Sequence, residues 1–102
     1  MNYGFHPAAE AEYLEQVAYY ESCEPGLGAR YLEHFQKALH RICDAPGQYA
    51  IARAPNIRRF QLRTFPLTVI YREQNGEIQV LAVAHYRRRP GYWLSRVSLR
   101  TP

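Results

Sequence analysis

Apolar positions keep a helical period over the first 44 residues and change to a strand period from residue 57 onward. After Pro7, the residues Ala11, Leu14, Val17 and Ala18 recur at spacings of three and four, with Glu10, Glu12 and Glu15 off that stripe. The pattern predicts an amphipathic helix of about four turns whose acidic residues lie near its N-terminus, where backbone N–H dipoles favour negative charge. Pro7 suits the first helical position, because that N–H has no intrahelical partner. Pro25-Gly26 breaks the helix, and Leu32, Phe35, Leu39 and Ile42 form the stripe of a second one. Lys37 and Arg41 fall toward its C-terminal end, the favourable side for cations. So short a break predicts an antiparallel helical hairpin.

Asp44-Ala45-Pro46-Gly47 ends the hairpin, and residues 45–56 read as a connection containing Pro46 and Pro55. Phe60 and Leu62 then alternate with Gln61 and Arg63, as a strand requires. Residues 67–72 (Leu-Thr-Val-Ile-Tyr-Arg) and 78–84 (Ile-Gln-Val-Leu-Ala-Val-Ala) are β-branched and apolar, and Asn75-Gly76 between them marks a hairpin turn. Pro66 fits a turn or edge. Residues 2–6 make one short strand with Tyr3 and Phe5 on a shared face. The order β-α-α-β-β-β predicts an α+β domain, an antiparallel helical hairpin packed on a small, mainly antiparallel sheet. Residues 1–96 read as one domain and 97–102 as a C-terminal tail.

Composition narrows the class. At 102 residues, 47% hydrophobic and 22% charged, the chain suits one globular domain with a single core. It has no apolar run of about 18 residues and no basic-then-apolar N-terminus, so neither a membrane span nor a secretory signal is expected, and the setting reads as cytoplasmic. Cys23 and Cys43 lack metal-ligand spacing and read as reduced packing thiols. No metal site and no cofactor are expected, since His6, His34, His40 and His85 form no ligand cluster.

Charge is distributed unevenly. Residues 1–52 carry three basic and seven acidic residues, whereas residues 53–102 carry ten arginines against Glu73 and Glu77. Twelve of the thirteen basic side chains are arginine, whose planar fork holds carboxylate or phosphate with two bonds. Such polarity points to an anionic partner. The densest stretch, Ala84-His85-Tyr86-Arg87-Arg88-Arg89-Pro90-Gly91-Tyr92-Trp93, begins where the last strand gives out, a common place for function. His85 reads either as a proton-transfer group or as a strand-end histidine bonded to backbone. Tyr92 and Trp93 read either as partner anchors or as a cover over the open end of the core. An extended backbone would send Arg88 opposite to Arg87 and Arg89. Arg59 and Arg63 would share a face of their strand, with Arg58 opposite; Tyr19 and Tyr20 read as packing residues.

The order and spacing of several segments resemble one known family. Phe5-His6-Pro7-Ala8-Ala9 opens the first helix, Tyr19-Tyr20-Glu21 lies near its end, and Pro25-Gly26-Leu27-Gly28 leads into the second. Pro46 and Tyr49, Arg59-Phe60, Phe65-Pro66-Leu67 and Tyr71-Arg72 follow. Ala82-Val83-Ala84-His85, Arg87-Arg88, Pro90 and Tyr92-Trp93 complete the match. Together these resemble bacterial toxins of the RelE/ParE superfamily, in its ParE-like, plasmid-stabilisation branch. The resemblance implies the compact toxin fold, growth inhibition, and a hetero-oligomer with a cognate antitoxin.

Two mechanisms occur in that superfamily. RelE-like members cleave messenger RNA on the ribosome; ParE-like members inhibit DNA gyrase. Nuclease chemistry requires a base, an acid and a cation at the phosphorane. His85, Tyr86, Arg59 and Arg63 are the candidates here. RNA-cleaving relatives carry an arginine in an Arg-Leu-Val-Tyr strand motif, and counting back from Tyr71 the equivalent position is Thr68. The resemblance therefore favours a gyrase inhibitor with no chemistry of its own, over a ribosome-dependent endoribonuclease or a non-toxic nucleic-acid-binding module. The target- or antitoxin-binding candidates are Arg59, Arg63, His85, Tyr86, Arg87, Arg88, Arg89, Tyr92 and Trp93.

Overall fold

A computed structural model describes residues 1–97. The chain runs β1 (Asn2–Phe5), α1 (Pro7–Cys23), α2 (Leu27–Asp44), a single 3-10 turn (Pro46–Gln48), β2 (Ile51–Arg53), β3 (Ile57–Gln61), β4 (Leu67–Gln74) and β5 (Glu77–His85), and closes with a 3-10 turn at Leu94–Arg96. The α+β architecture agrees with the sequence expectation, with one addition. Residues 51–53, inside the expected connection, form the fifth strand, and the sheet order is β1-β5-β4-β3-β2. Three residues are too few to show a period, and their pairing to β3 is irregular, so the strand left no pattern to find. The expected tail at 97–102 lies outside the described residues apart from Val97.

Local chemistry explains the element ends. The His6 side chain caps α1, its Nδ1 accepting from the Ala8 N–H at 3.0 Å. Gly26 takes a left-handed φ of 88° between the helices, and Glu21 reaches forward to accept from the N–H groups of Gly26 and Gly28 at 3.1 Å. A Cβ on Gly28 would stand 2.8 Å from the Val17 carbonyl, so glycine there lets the helices touch. Asn75 and Gly76 adopt positive φ (56° and 78°), as the β4–β5 hairpin requires.

Both faces of the sheet are covered. The helical hairpin buries Phe35, Leu39 and Ile42 against Leu67, Val69, Tyr71, Ile78, Val80 and Val83. Aromatic rings of Tyr13, Tyr20, Tyr31, Phe35 and Phe65 fill the space between helices and sheet. The opposite face carries a smaller core of Ile57, Ile70, Leu81 and Ala82 under Trp93. A bulge makes this second core possible: Ile70 pairs Ala82 while Tyr71 pairs Val80, so Leu81 is the extra residue and both Leu81 and Ala82 are buried there.

The inward face of α1 differs from the sequence expectation. Ala11, Leu14 and Ala18 are exposed, and the buried residues are Ala9, Glu12 and Tyr20, with Tyr13 and Val17 half-buried beside them. Tyr19, expected to pack, is exposed, as is Cys23; both cysteines are free thiols. The physical reason is Glu12. β1 ends at Phe5 opposite Val80, which leaves the outer edge of β5 beyond Val80 without a strand neighbour. Glu12 Oε1 accepts from the Val83 N–H at 2.9 Å, while Arg96 Nη1 donates to the Leu81 carbonyl at 3.0 Å. The same guanidinium holds Glu12 with two bonds of 2.9 and 2.8 Å, and the Tyr92 hydroxyl donates to Glu12 Oε2 at 2.7 Å. One carboxylate thus closes the bulged edge and ties the C-terminal segment to α1.

Burial opposes the charge on Glu12, but the bonds from Arg96, Val83 and Tyr92 outweigh it and hold the carboxyl below its ordinary value near 4.5. Because the folded pKa lies below the unfolded one, this stabilisation is complete above about pH 4.5 and is lost as pH falls through the lowered value. Glu12→Ala leaves Arg96, whose side chain is only 14% exposed, without its partner, so a loss of about 3 kcal/mol is expected in denaturant titrations. Glu12→Gln should flatten the acid limb of stability measured between about pH 6 and about pH 3. The Tyr31 hydroxyl is buried without a partner among the described residues. Tyr31→Phe should therefore gain about 1 kcal/mol, where Tyr92→Phe loses about as much. A less stable Tyr31→Phe protein would mean that the hydroxyl is bonded after all.

Candidate functional site

Beyond β5 the chain does not stay extended. Arg88 N–H bonds back to the His85 carbonyl at 2.9 Å, and Tyr92 N–H to the Arg89 carbonyl at 3.2 Å, so the segment folds through two turns. Gly91, with φ of 76°, permits the second. The strand alternation expected for Arg87, Arg88 and Arg89 is therefore replaced by turn geometry. The returning segment stands over the second sheet face and encloses a shallow concavity of about 350 Å³. Arg59, Gln61 and Thr68 form its floor on β3 and β4; His85, Tyr86, Arg88 and Arg89 form its wall.

Most of the residues singled out in the sequence meet here, but Arg63 and Arg87 do not line the concavity. Arg63 lies beyond the end of β3 at Gln61, so strand alternation does not carry to it. It turns to the helix side, into a separate groove with Lys37 and Arg41. Arg87 is exposed and lies outside the concavity. Trp93 is only 6% exposed; it packs over the second core and also borders the concavity. Tyr92 is fastened by Glu12; burial first, then that bond, pushes its hydroxyl far above the ordinary tyrosine range.

The remaining groups divide by what they touch. Arg88 stacks on the Tyr92 ring at 3.8 Å and lies 3.8 Å from Glu12, with half of its side chain still in solvent. Arg59 and Arg89 are exposed, and neither has an acidic side chain within 4.0 Å among the described residues. His85 Nδ1 accepts from the Arg87 N–H at 3.0 Å. The Tyr86 hydroxyl donates to the Leu62 carbonyl at 3.1 Å, and its N–H to the Pro66 carbonyl at 3.0 Å. Thr68, opposite Ala84 in the ladder, contributes a short neutral side chain to the floor.

Sequence inspection missed Glu12 and Arg96, which hold the wall in place. Periodicity cannot reveal a glutamate that faces a core, because it scores that residue as surface. The spacing of Ala9, Glu12, Tyr13, Gln16 and Tyr20 does follow one helical face, and only the chemistry of its members hides it. Among the described residues no three histidine, cysteine or acidic side chains gather as a metal would need, and no helix is long and apolar enough to cross a membrane.

Comparison with known proteins agrees with this fold. No curated protein matches the sequence. The structure is similar to a solved chain of the chromosomal ParDE toxin–antitoxin system from P. aeruginosa, with a TM-score of 0.72 and 17% identity, over 83% of this chain and 95% of that one. The sequence model for the ParE toxin of the type II toxin–antitoxin system parDE matches residues 3–90, which span both helices, all five strands and most of the arginine segment. With a match over that much of its length, the chain belongs to the ParE toxin family of type II toxin–antitoxin systems.

Proposed function

We propose that this toxin arrests growth by seizing DNA gyrase through the concavity beside β5, and that a cognate antitoxin neutralises it. The observation carrying this reading is the condition of the two proton-handling groups. His85 has its Nδ1 engaged by the Arg87 N–H, and the Tyr86 hydroxyl is spent on the Leu62 carbonyl. A ribonuclease site needs a base and an acid free to exchange protons, together with a cation at the phosphorane. Thr68 lines the floor, at the position where, by the motif count, the resemblance gives RNA-cleaving relatives an arginine. What is available is positive charge without an acidic partner among the described residues, on Arg59 and Arg89, framed by the half-exposed rings of Tyr86 and Tyr92. Such a surface suits capture of an anionic macromolecular face.

Arg88 belongs to the fabric of the wall, so the informative changes are at its neighbours. Purified protein should abolish gyrase supercoiling and accumulate cleaved DNA, and Arg59→Glu combined with Arg89→Glu should weaken that inhibition about tenfold or more without lowering thermal stability. Mapping message 5′ ends after induction should show no codon-positioned cuts. Cuts that vanish in His85→Ala while the fold persists would overturn the gyrase reading in favour of the endoribonuclease. Absence of growth arrest at any expression level would count against both.

A further inference from the structure

The chain beyond Tyr86 is joined to the rest of the fold by side chains. Tyr86 itself is fixed twice to the connection between β3 and β4, its N–H bonding to the Pro66 carbonyl and its hydroxyl to the Leu62 carbonyl. After it the backbone bonds only to its own neighbours: Arg88 to His85, Tyr92 to Arg89, Leu94 to Gly91, Arg96 to Trp93 and Val97 to Leu94. Among the described residues, no backbone-to-backbone bond carries residues 87–97 to a helix, or to any strand but the end of β5. Arg87, Arg88, Arg89 and Pro90 are exposed, and the positive φ of Gly91 turns the chain.

The fastening converges on one point. The Tyr92 hydroxyl bonds the Glu12 carboxylate at 2.7 Å, and two Arg96 nitrogens bond it at 2.9 and 2.8 Å. One further bond, of 3.0 Å, runs from Arg96 to the Leu81 carbonyl. Trp93, with Tyr92, Leu94 and Val97 beside it, covers Ile57, Ile70, Leu81 and Ala82. Lifting this cover exposes apolar surface, which favours the closed form. A segment whose backbone bonds are internal, and whose ties meet at a single carboxylate, opens at lower free energy than a sheet paired on both sides. Arg59 belongs to β3 and stays with the body, whereas Arg89 travels with the segment.

We propose that residues 87–97 form a strap, hinged at Tyr86 and latched on Glu12, that opens as one unit while helices and sheet stay folded. Glu12 and Arg96 are then positioning residues: they act through the strap, and only its closed form sets Arg89 across the concavity from Arg59. The consequence for target capture rests on the gyrase reading. A partner that needs both arginines meets a competent surface only in the closed fraction, so its apparent affinity falls by that fraction.

Native-state amide hydrogen exchange on the whole protein tests the strap without any target. In the unaltered chain the amides of Tyr92, Leu94, Arg96 and Val97 should be about tenfold or more less protected than those of central strand β4. Glu12→Ala and Arg96→Gln, which break the latch from opposite sides, should strip the strap amides of most protection while β4 and α2 stay protected. Quenching by acrylamide of Trp93, the only tryptophan, should rise with them. Ile42→Val, in the helix-side core, should lower global stability and leave strap opening unchanged. In a supercoiling assay, the half-inhibiting concentration of each latch variant should rise by the reciprocal of its closed fraction, with full inhibition still reached. Strap and β4 amides of equal protection in the unaltered chain, or latch variants in which both lose protection together, would overturn the strap. Latch variants with an open strap and unchanged half-inhibition would overturn the positioning role. An unaltered protein that leaves gyrase untouched sinks the target reading alone, and the exchange pattern still decides the strap.

Discussion

The structure depends on one buried carboxylate. Glu12 meets a bulged, unpaired strand edge, a phenol and a guanidinium at once, and with Arg96 it satisfies both the Val83 N–H and the Leu81 carbonyl. Charge taken out of water is costly unless it is paired and fully hydrogen-bonded, and here the bonds come from Val83 of β5 and from Tyr92 and Arg96 of the C-terminal segment. The carboxylate therefore does more than stabilise. It fixes where the C-terminal segment lies, and that position defines the wall of the concavity.

The same constraint explains the two-sided sheet. The bulge delivers Leu81 and Ala82 together to the face away from the helices, and Trp93 covers them only because Tyr92 and Arg96 on either side of it are anchored to α1. Arg88 then comes to rest on the Tyr92 ring, carried by the turn rather than by strand alternation. In this way an interaction on the far side of β5 positions a charged surface on the near side.

The arginines of the basic half occupy separate places. Arg96 is structural, Arg58 donates to the Tyr49 carbonyl at 2.6 Å, and Arg72 donates to Gln79. Arg59 and Arg89 face one concavity, while Arg63 faces the groove on the helix side with Lys37 and Arg41. β3 thus divides the cations between two surfaces. His85 and Tyr86, within this charge, are each hydrogen-bonded to backbone.

The amino-acid sequence by itself determined the element order, the hairpin turn at Asn75-Gly76, the α2 stripe and the family, because each rests on local periodicity, turn chemistry or the spacing of segments. It also located the arginine-rich strand end. The inward face of α1, the fifth strand at Ile51–Arg53, the parting of Arg63 from Arg59 and the burial of Trp93 were decided by tertiary structure alone. Their physical reason is shared. Hydrophobic pattern predicts burial for apolar side chains, but a glutamate becomes a core residue only when a bulge, a tyrosine and an arginine from distant positions converge on it, and no local window contains that convergence.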